Sequence, residues 1–149
     1  MPLPKHLRDA NVAFGCFTFM SEIADALGRA GLVAEGLAAI EQAQAVADRI
    51  EERWFVLDLL RIKGELLLMR DGSAAAATAE GLFGKALDWA SGHDALSWEL
   101  RAATSLARLL QGQGRSSEAI ALLQPVYDRF TEGFETADLK AAKGLLDAL

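Results

Sequence analysis

Three glycines, Gly31, Gly72 and Gly114, stand 41 and 42 residues apart, and the same order of side-chain sizes recurs around each. After each comes a small residue (Gly36, Ala79, Ala119), then a bulky one (Ile40, Phe83, Leu123), then a further contact position (Ala43, Ala86, Val126). Ahead of each lies a Leu–small type of pair: Ile23-Ala24, Lys63-Gly64 and Leu106-Ala107, with Ile62 expected to take the apolar role that Lys63 gives up. Glycine ends a helix by entering the left-handed region. Small residues on both sides of it let two helix backbones approach. A chain patterned this way is expected to fold as successive helical hairpins, one per period. The tetrapeptide AEGL occurs at 34–37 and again at 79–82, but matching on it ruins the other correspondences, so it is coincidence.

The clearest unit is SWELRAATSLARLLQGQGRSSEAIALLQPVYD, residues 97–128. Trp98, Leu106, Ala107 and Leu110 mark its first helix, Gly114 breaks it, and Ala119, Leu123 and Val126 mark its second. This order resembles the tetratricopeptide repeat (TPR), although the spacing exceeds the usual ~34 residues and so implies longer helices or looser turns. The expected fold is all-α: a TPR-like solenoid of about three helical hairpins in a right-handed stack, closed by a C-terminal capping helix. Its divisions are a partly irregular leader (1–11), repeats over about 12–50, 53–91 and 95–130, and the cap over about 136–149.

Composition agrees with this class. The 149 residues are 52% hydrophobic, rich in Ala and Leu, and hold only three prolines; helix formers at helical periodicity argue against strands. The net charge of −6 disfavours nucleic acid as a partner, whose footprint is a basic stripe. Cys16 is alone, so neither an internal disulfide nor a thiolate metal cluster is available; it reads as a small buried hydrophobe. No secretory leader opens the chain and no apolar run approaches ~18 residues. A soluble, cytoplasmic protein without membrane contact is expected.

Along the chain, Phe17, Met20, Ile23, Ala24 and Leu27 share one face of the first helix, while Phe14 and Phe19 lie off it. The second helix buries Leu37, Ile40, Ala43, Ala47 and Ile50. A bend is expected at Glu51-Glu52, where neither Gly nor Pro punctuates the chain. WFVLDLLRIKGELLLM (54–69) is apolar on nearly every side, as a helix buried between neighbours should be. Ala74–Ala77 is compatible with helix or with a lengthened turn before a helix over about 79–91, and Gly92-His93-Asp94 is expected as a loop. Thr136 is the expected N-cap of the last helix, with Asp138 in its first turn.

From Arg53 onward RIKGELLL, SWELRAATSLARLL and ALLQPVYDRFTEGFETADLKAAKGLLDAL resemble the C-terminal TPR region of large bacterial regulators. Those proteins place a class III adenylate cyclase or other nucleotide cyclase, or a DNA-binding domain, ahead of a signal-transduction ATPase and a helical repeat array. Leu27–Ile50 matches more loosely and the leader not at all. The family commonly has a glycine where this chain has Glu51. The catalytic and nucleotide-binding parts of such regulators have no counterpart in the sequence. The resemblance therefore implies a sensor or scaffold array, either a stand-alone relative or a segment of a larger regulator. Met1 followed by the unmatched leader favours the stand-alone form.

No motif for catalysis emerges, and neither an enzyme nor a cofactor is expected. Gly81–Lys85 (GLFGK) is similar to a phosphate loop in composition only: Ala79 and Ala86 occupy the positions of the first glycine and the hydroxyl, and the stretch lies within a helix. His6 and His93 have no second histidine or cysteine at ligand spacing, so no metal site is expected. Glu51-Glu52, Glu132 and Glu135 read as solubilising, and Trp54 and Trp98 as packing residues. In repeat arrays the first helices line the concave face, where peptides or partner helices lie. The positions projected there are Thr18, Ser21, Asp25 and Arg29; Asp58, Arg61, Glu65 and Met69; and Arg101, Thr104, Arg108 and Gln111. Guanidinium forks at Arg61, Arg101 and Arg108 would suit a carboxylate-bearing partner. The first repeat has no preceding hairpin, so Phe14, Phe17, Phe19 and Met20 are expected to mediate self-association as a homodimer through the N-terminal helix.

Overall fold

The structure, a computed structural model, describes residues 19–48 and 56–149, all of it helix, turn and connection with no strand among those residues. Residues 19–29 are helical (α1) and lead to α2 (Val33–Ala47). Then follow α3 (Val56–Asp71), a 3₁₀ turn (Gly72–Ala75), α4 (Ala76–Gly92), α5 (Leu96–Gly112), α6 (Ser116–Tyr127) and α7 (Ala137–Ala148). The three periodic glycines all sit at positive φ, 82°, 57° and 74°, a conformation that costs glycine no side-chain clash. Each therefore turns the chain from one helix of a pair into the next.

From α2 onward every helix packs on its successor. In addition α3 touches α5, and α5 touches α7, whereas α2, α4 and α6 make no contact with one another. The odd-numbered helices thus form a close inner row and the even-numbered ones a splayed outer row. The backbone spacing of the inner row depends on small residues. A Cβ placed on Gly28 of α1 would lie 2.4 Å from Leu66 of α3. Within pairs, a Cβ on Gly36 would lie 3.1 Å from the Ala24 carbonyl oxygen, and one on Gly64 would lie 2.6 Å from the Phe83 ring.

The repeated positions converge on the interior. Ala24, Ala43, Ala79, Ala107 and Ala119 are wholly buried, as are Phe83 and Leu123, and Ile40 and Ala86 nearly so. Ile62 is buried where Lys63 is only partly covered, in line with the size pattern of the sequence. Two apolar cores result: Ala24, Leu37, Ile40, Ala43, Leu59, Ile62 and Leu66 join α1, α2 and α3. Phe83, Leu100, Ala103, Leu106, Leu110, Leu123, Leu139 and Leu145 join α4 to α7.

One expectation is corrected. Ile23 is 44% exposed, not packed beside Ala24. Of the run Ala74–Ala77, the first two residues close the 3₁₀ turn and α4 begins at Ala76. Met20 packs partly against the Ala24–Ile40 core, as its place on the α1 stripe implies. Phe14, Phe17, Thr18, Cys16, His6, Ile50, Trp54 and the Glu51-Glu52 junction lie outside the described residues. The cap is as expected: Thr136 Oγ1 accepts from the Leu139 N–H, and α7 rests on α5 and α6. His93 closes α4 by stacking on Trp89 at 3.8 Å between ring centroids, its Nδ1 lying 2.8 Å from the Trp89 carbonyl oxygen.

Candidate functional site

Helical periodicity puts residues i, i+3, i+4 and i+7 on one face. On α3 these are Asp58, Arg61, Ile62 and Glu65, and on α5 they are Arg101, Thr104, Ser105 and Arg108. Because α3 and α5 are neighbours in the inner row, the two stripes face a common cleft of ≈ 330 Å³. Ser21, Glu22, Asp25 and Arg29 of α1 complete one end of it, and Asp138 and Ala141 of α7 the other. Every lining residue belongs to the inner row. Nine of the twelve positions projected as a binding face line this cleft: Ser21, Asp25, Arg29, Asp58, Arg61, Glu65, Arg101, Thr104 and Arg108. Thr18 lies outside the described residues, and Met69 and Gln111 are not among the lining residues.

The charges inside are largely consumed by one another. Arg61 Nε donates to Asp58 Oδ1 at 2.9 Å, and its Nη1 to Glu65 Oε1 at 3.1 Å. Burial opposes the Arg61 charge, but the Asp58 and Glu65 carboxylates outweigh it and hold the guanidinium pKa above its ordinary value. Ser105 Oγ donates to Glu65 Oε1 at 2.6 Å, tying α5 to α3. Arg101 Nε donates to Asp138 Oδ2 at 2.7 Å, while its Nη1 lies 3.9 Å from Asp58 Oδ2 and its guanidinium 5.3 Å from the Trp98 ring centroid. Arg101 thus links α3, α5 and the cap. Thr104 donates its hydroxyl to the Leu100 carbonyl of its own helix at 2.7 Å, and Arg29 pairs with Asp25 at 2.6 Å.

The three guanidinium forks projected onto this face therefore differ in what they meet. Arg61 and Arg101 are engaged with carboxylates of the chain itself, and only Arg108, exposed on α5, has no ion pair among the described residues. Sequence reasoning missed Asp138 as a groove residue, because its partner is 37 positions away. It also missed Glu99, buried on α5 with both carboxylate oxygens 2.8–2.9 Å from Arg129 Nη1. Glu99 and Asp138 offered only one local signal, acidic residues in the first turn of a helix, and that marks a terminus without naming a distant cation.

Chemically, the cleft offers an ordered, mixed-charge surface. Among the described residues no group of three His, Cys, Asp or Glu side chains could hold a metal ion. Gly81–Lys85 lies inside α4, so its N–H groups are spent on helix hydrogen bonds. None of the described helices is long and apolar enough to cross a membrane. No protein-family model, curated protein or solved structure matches the chain.

Proposed function

We propose that this chain is a TPR-like, non-catalytic scaffold that works by protein–protein contact, holding a peptide or partner helix in the groove of its inner row. The observation that carries this reading is the confinement of the polar cleft to α1, α3, α5 and α7. Four helices present one face each to a single concavity, and their internal ion pairs hold that face in a fixed shape before any partner arrives. Preordering of this kind lowers the entropic cost of binding an extended segment.

Capture of a partner from the source cell, followed by cross-linking, tests the proposal. Arg29→Glu combined with Arg108→Glu alters two exposed groove residues that do not bridge helices. It should abolish capture while leaving the helical circular dichroism unchanged. Retained capture would move the binding surface off the groove.

A second reading is favoured by the resemblance of RIKGELLL and the 97–149 region to the repeat arrays of bacterial cyclase and ATPase regulators. In that reading the same groove serves as a regulatory or sensor segment and grips a neighbouring domain of one larger signalling protein. A cyclase or ATPase domain encoded in the same reading frame would decide for it.

A further inference from the structure

A second, larger hollow of ≈ 670 Å³ shares Glu65, Ser105 and Arg108 with the charged cleft. This hollow lies where the ends of α3 and α5 meet the 3₁₀ turn and α4, and its walls include Leu68, Met69, Phe83 and Leu109. Met69 is 54% exposed there; an unbranched thioether re-packs around guests of differing shape. Only two charged residues border the hollow. Glu65 is already taken by Arg61 and Ser105. Arg108 has no ion pair among the described residues, although every other arginine of the groove has one.

We infer that the groove takes an extended segment of a partner protein in which a large apolar residue adjoins an aspartate or glutamate. The apolar side chain enters the Met69–Leu109 hollow and the side-chain carboxylate engages the Arg108 fork. Charge complementarity selects this occupant. A basic segment would bring like charge to Arg108, and a neutral apolar one would leave its guanidinium without a partner at the mouth of an apolar cavity. The inference rests on the reading of the groove as a docking surface and adds the chemistry of what docks.

The test is to pan a phage-displayed library of random peptides on the folded chain, then measure the selected peptides by fluorescence anisotropy. The selected sequences should pair a Phe, Leu or Met with an Asp or Glu. Arg108→Glu should weaken them about tenfold or more, the scale of one charge-assisted hydrogen bond, and a peptide with Lys in place of the acid should regain that loss on Arg108→Glu. Met69→Asp should weaken binding comparably, and Arg108→Gln provides the same reading should the reversed charge disturb α5. Peptides that bind without an acidic residue, or equally well to Arg108→Glu, overturn the inference and leave the docking reading standing. No selected peptide at all overturns both. A dimer that Met69→Asp dissolves would make a second copy of the chain the occupant, again overturning the inference.

Discussion

The inner row ends differently at α1 and at α7. Helix α7 buries Leu139, Ala142 and Leu145 and turns Lys140, Lys143 and Asp147 to water. It is also fastened laterally, by Asp138 to Arg101 of α5. Helix α1 buries Ala24 yet leaves Phe19 67% and Ile23 44% exposed, one turn apart on a shared face. Its one ion pair among the described residues, Asp25–Arg29, stays within the helix. A repeat array needs a polar outer face at its ends to stay soluble. Helix α7 has such a polar outer face, whereas the described part of α1 leaves Phe19 and Ile23 exposed.

That contrast is sharpest in the cores. Leu123→Ala and Ile40→Ala remove equivalent outer-row residues and should each cost about 2–5 kcal/mol in denaturant unfolding. Because each pair contacts only its neighbours, hydrogen exchange should rise mainly over α5–α7 in the first variant and over α1–α3 in the second. Uniform loss of protection would mean the ends are not separable. Next in size is Gly64→Ala, whose new methyl would meet the buried Phe83 ring and should cost about 1–3 kcal/mol. Gly81→Ala in the adjacent helix meets nothing within 4 Å and should stabilise by up to about 1 kcal/mol. Equal melting temperatures for the two would refute the close approach of α3 to α4.

Smaller effects probe the fastening. Arg129→Ala leaves the Glu99 carboxylate buried without its guanidinium and should cost about 1–2 kcal/mol, tempered because Arg129 itself is nearly half exposed. Asp138→Asn loosens a pair that is about 40% exposed on both sides and should cost about 0.2–1 kcal/mol, seen as faster exchange in α7 alone. Smallest for stability, within about 0.5 kcal/mol, is the double change Phe19→Asp with Ile23→Asp. If α1 self-associates, sedimentation should shift from dimer to monomer; a wild-type monomer at tens of micromolar would end that idea.

Much of this architecture was legible because it depends on local rules. Gly31, Gly72 and Gly114 mark turns through backbone conformation, and Ala24, Gly64, Ala107 and Ala119 mark contacts through size, so spacing alone located them. The groove stripes on α3 and α5 were legible for the same reason: helical periodicity fixes a face. What periodicity cannot fix is which charges meet between helices. The Arg61 pairs with Asp58 and Glu65 follow from i,i+3 and i,i+4 spacing on one helix and were legible in principle, whereas Arg101 looked available because Asp138 and Asp58 reach it only through packing between helices. Ile23 looked buried because the stripe on α1 was drawn to include it, while the helix in place turns Ala24 and Met20 inward instead. The apolar hollow beside Arg108 is lined in part by Gly72 and Ser73 of the 3₁₀ turn, a feature without a period.

The most direct test of the central claim is amide chemical-shift mapping of the isotope-labelled chain with a selected peptide. Perturbations should concentrate on the stripes Asp58–Glu65 and Arg101–Arg108 and at Met69. Shifts gathered instead at Lys85, Asp88 and Ala121, exposed on the outer row, with the groove silent, would contradict it.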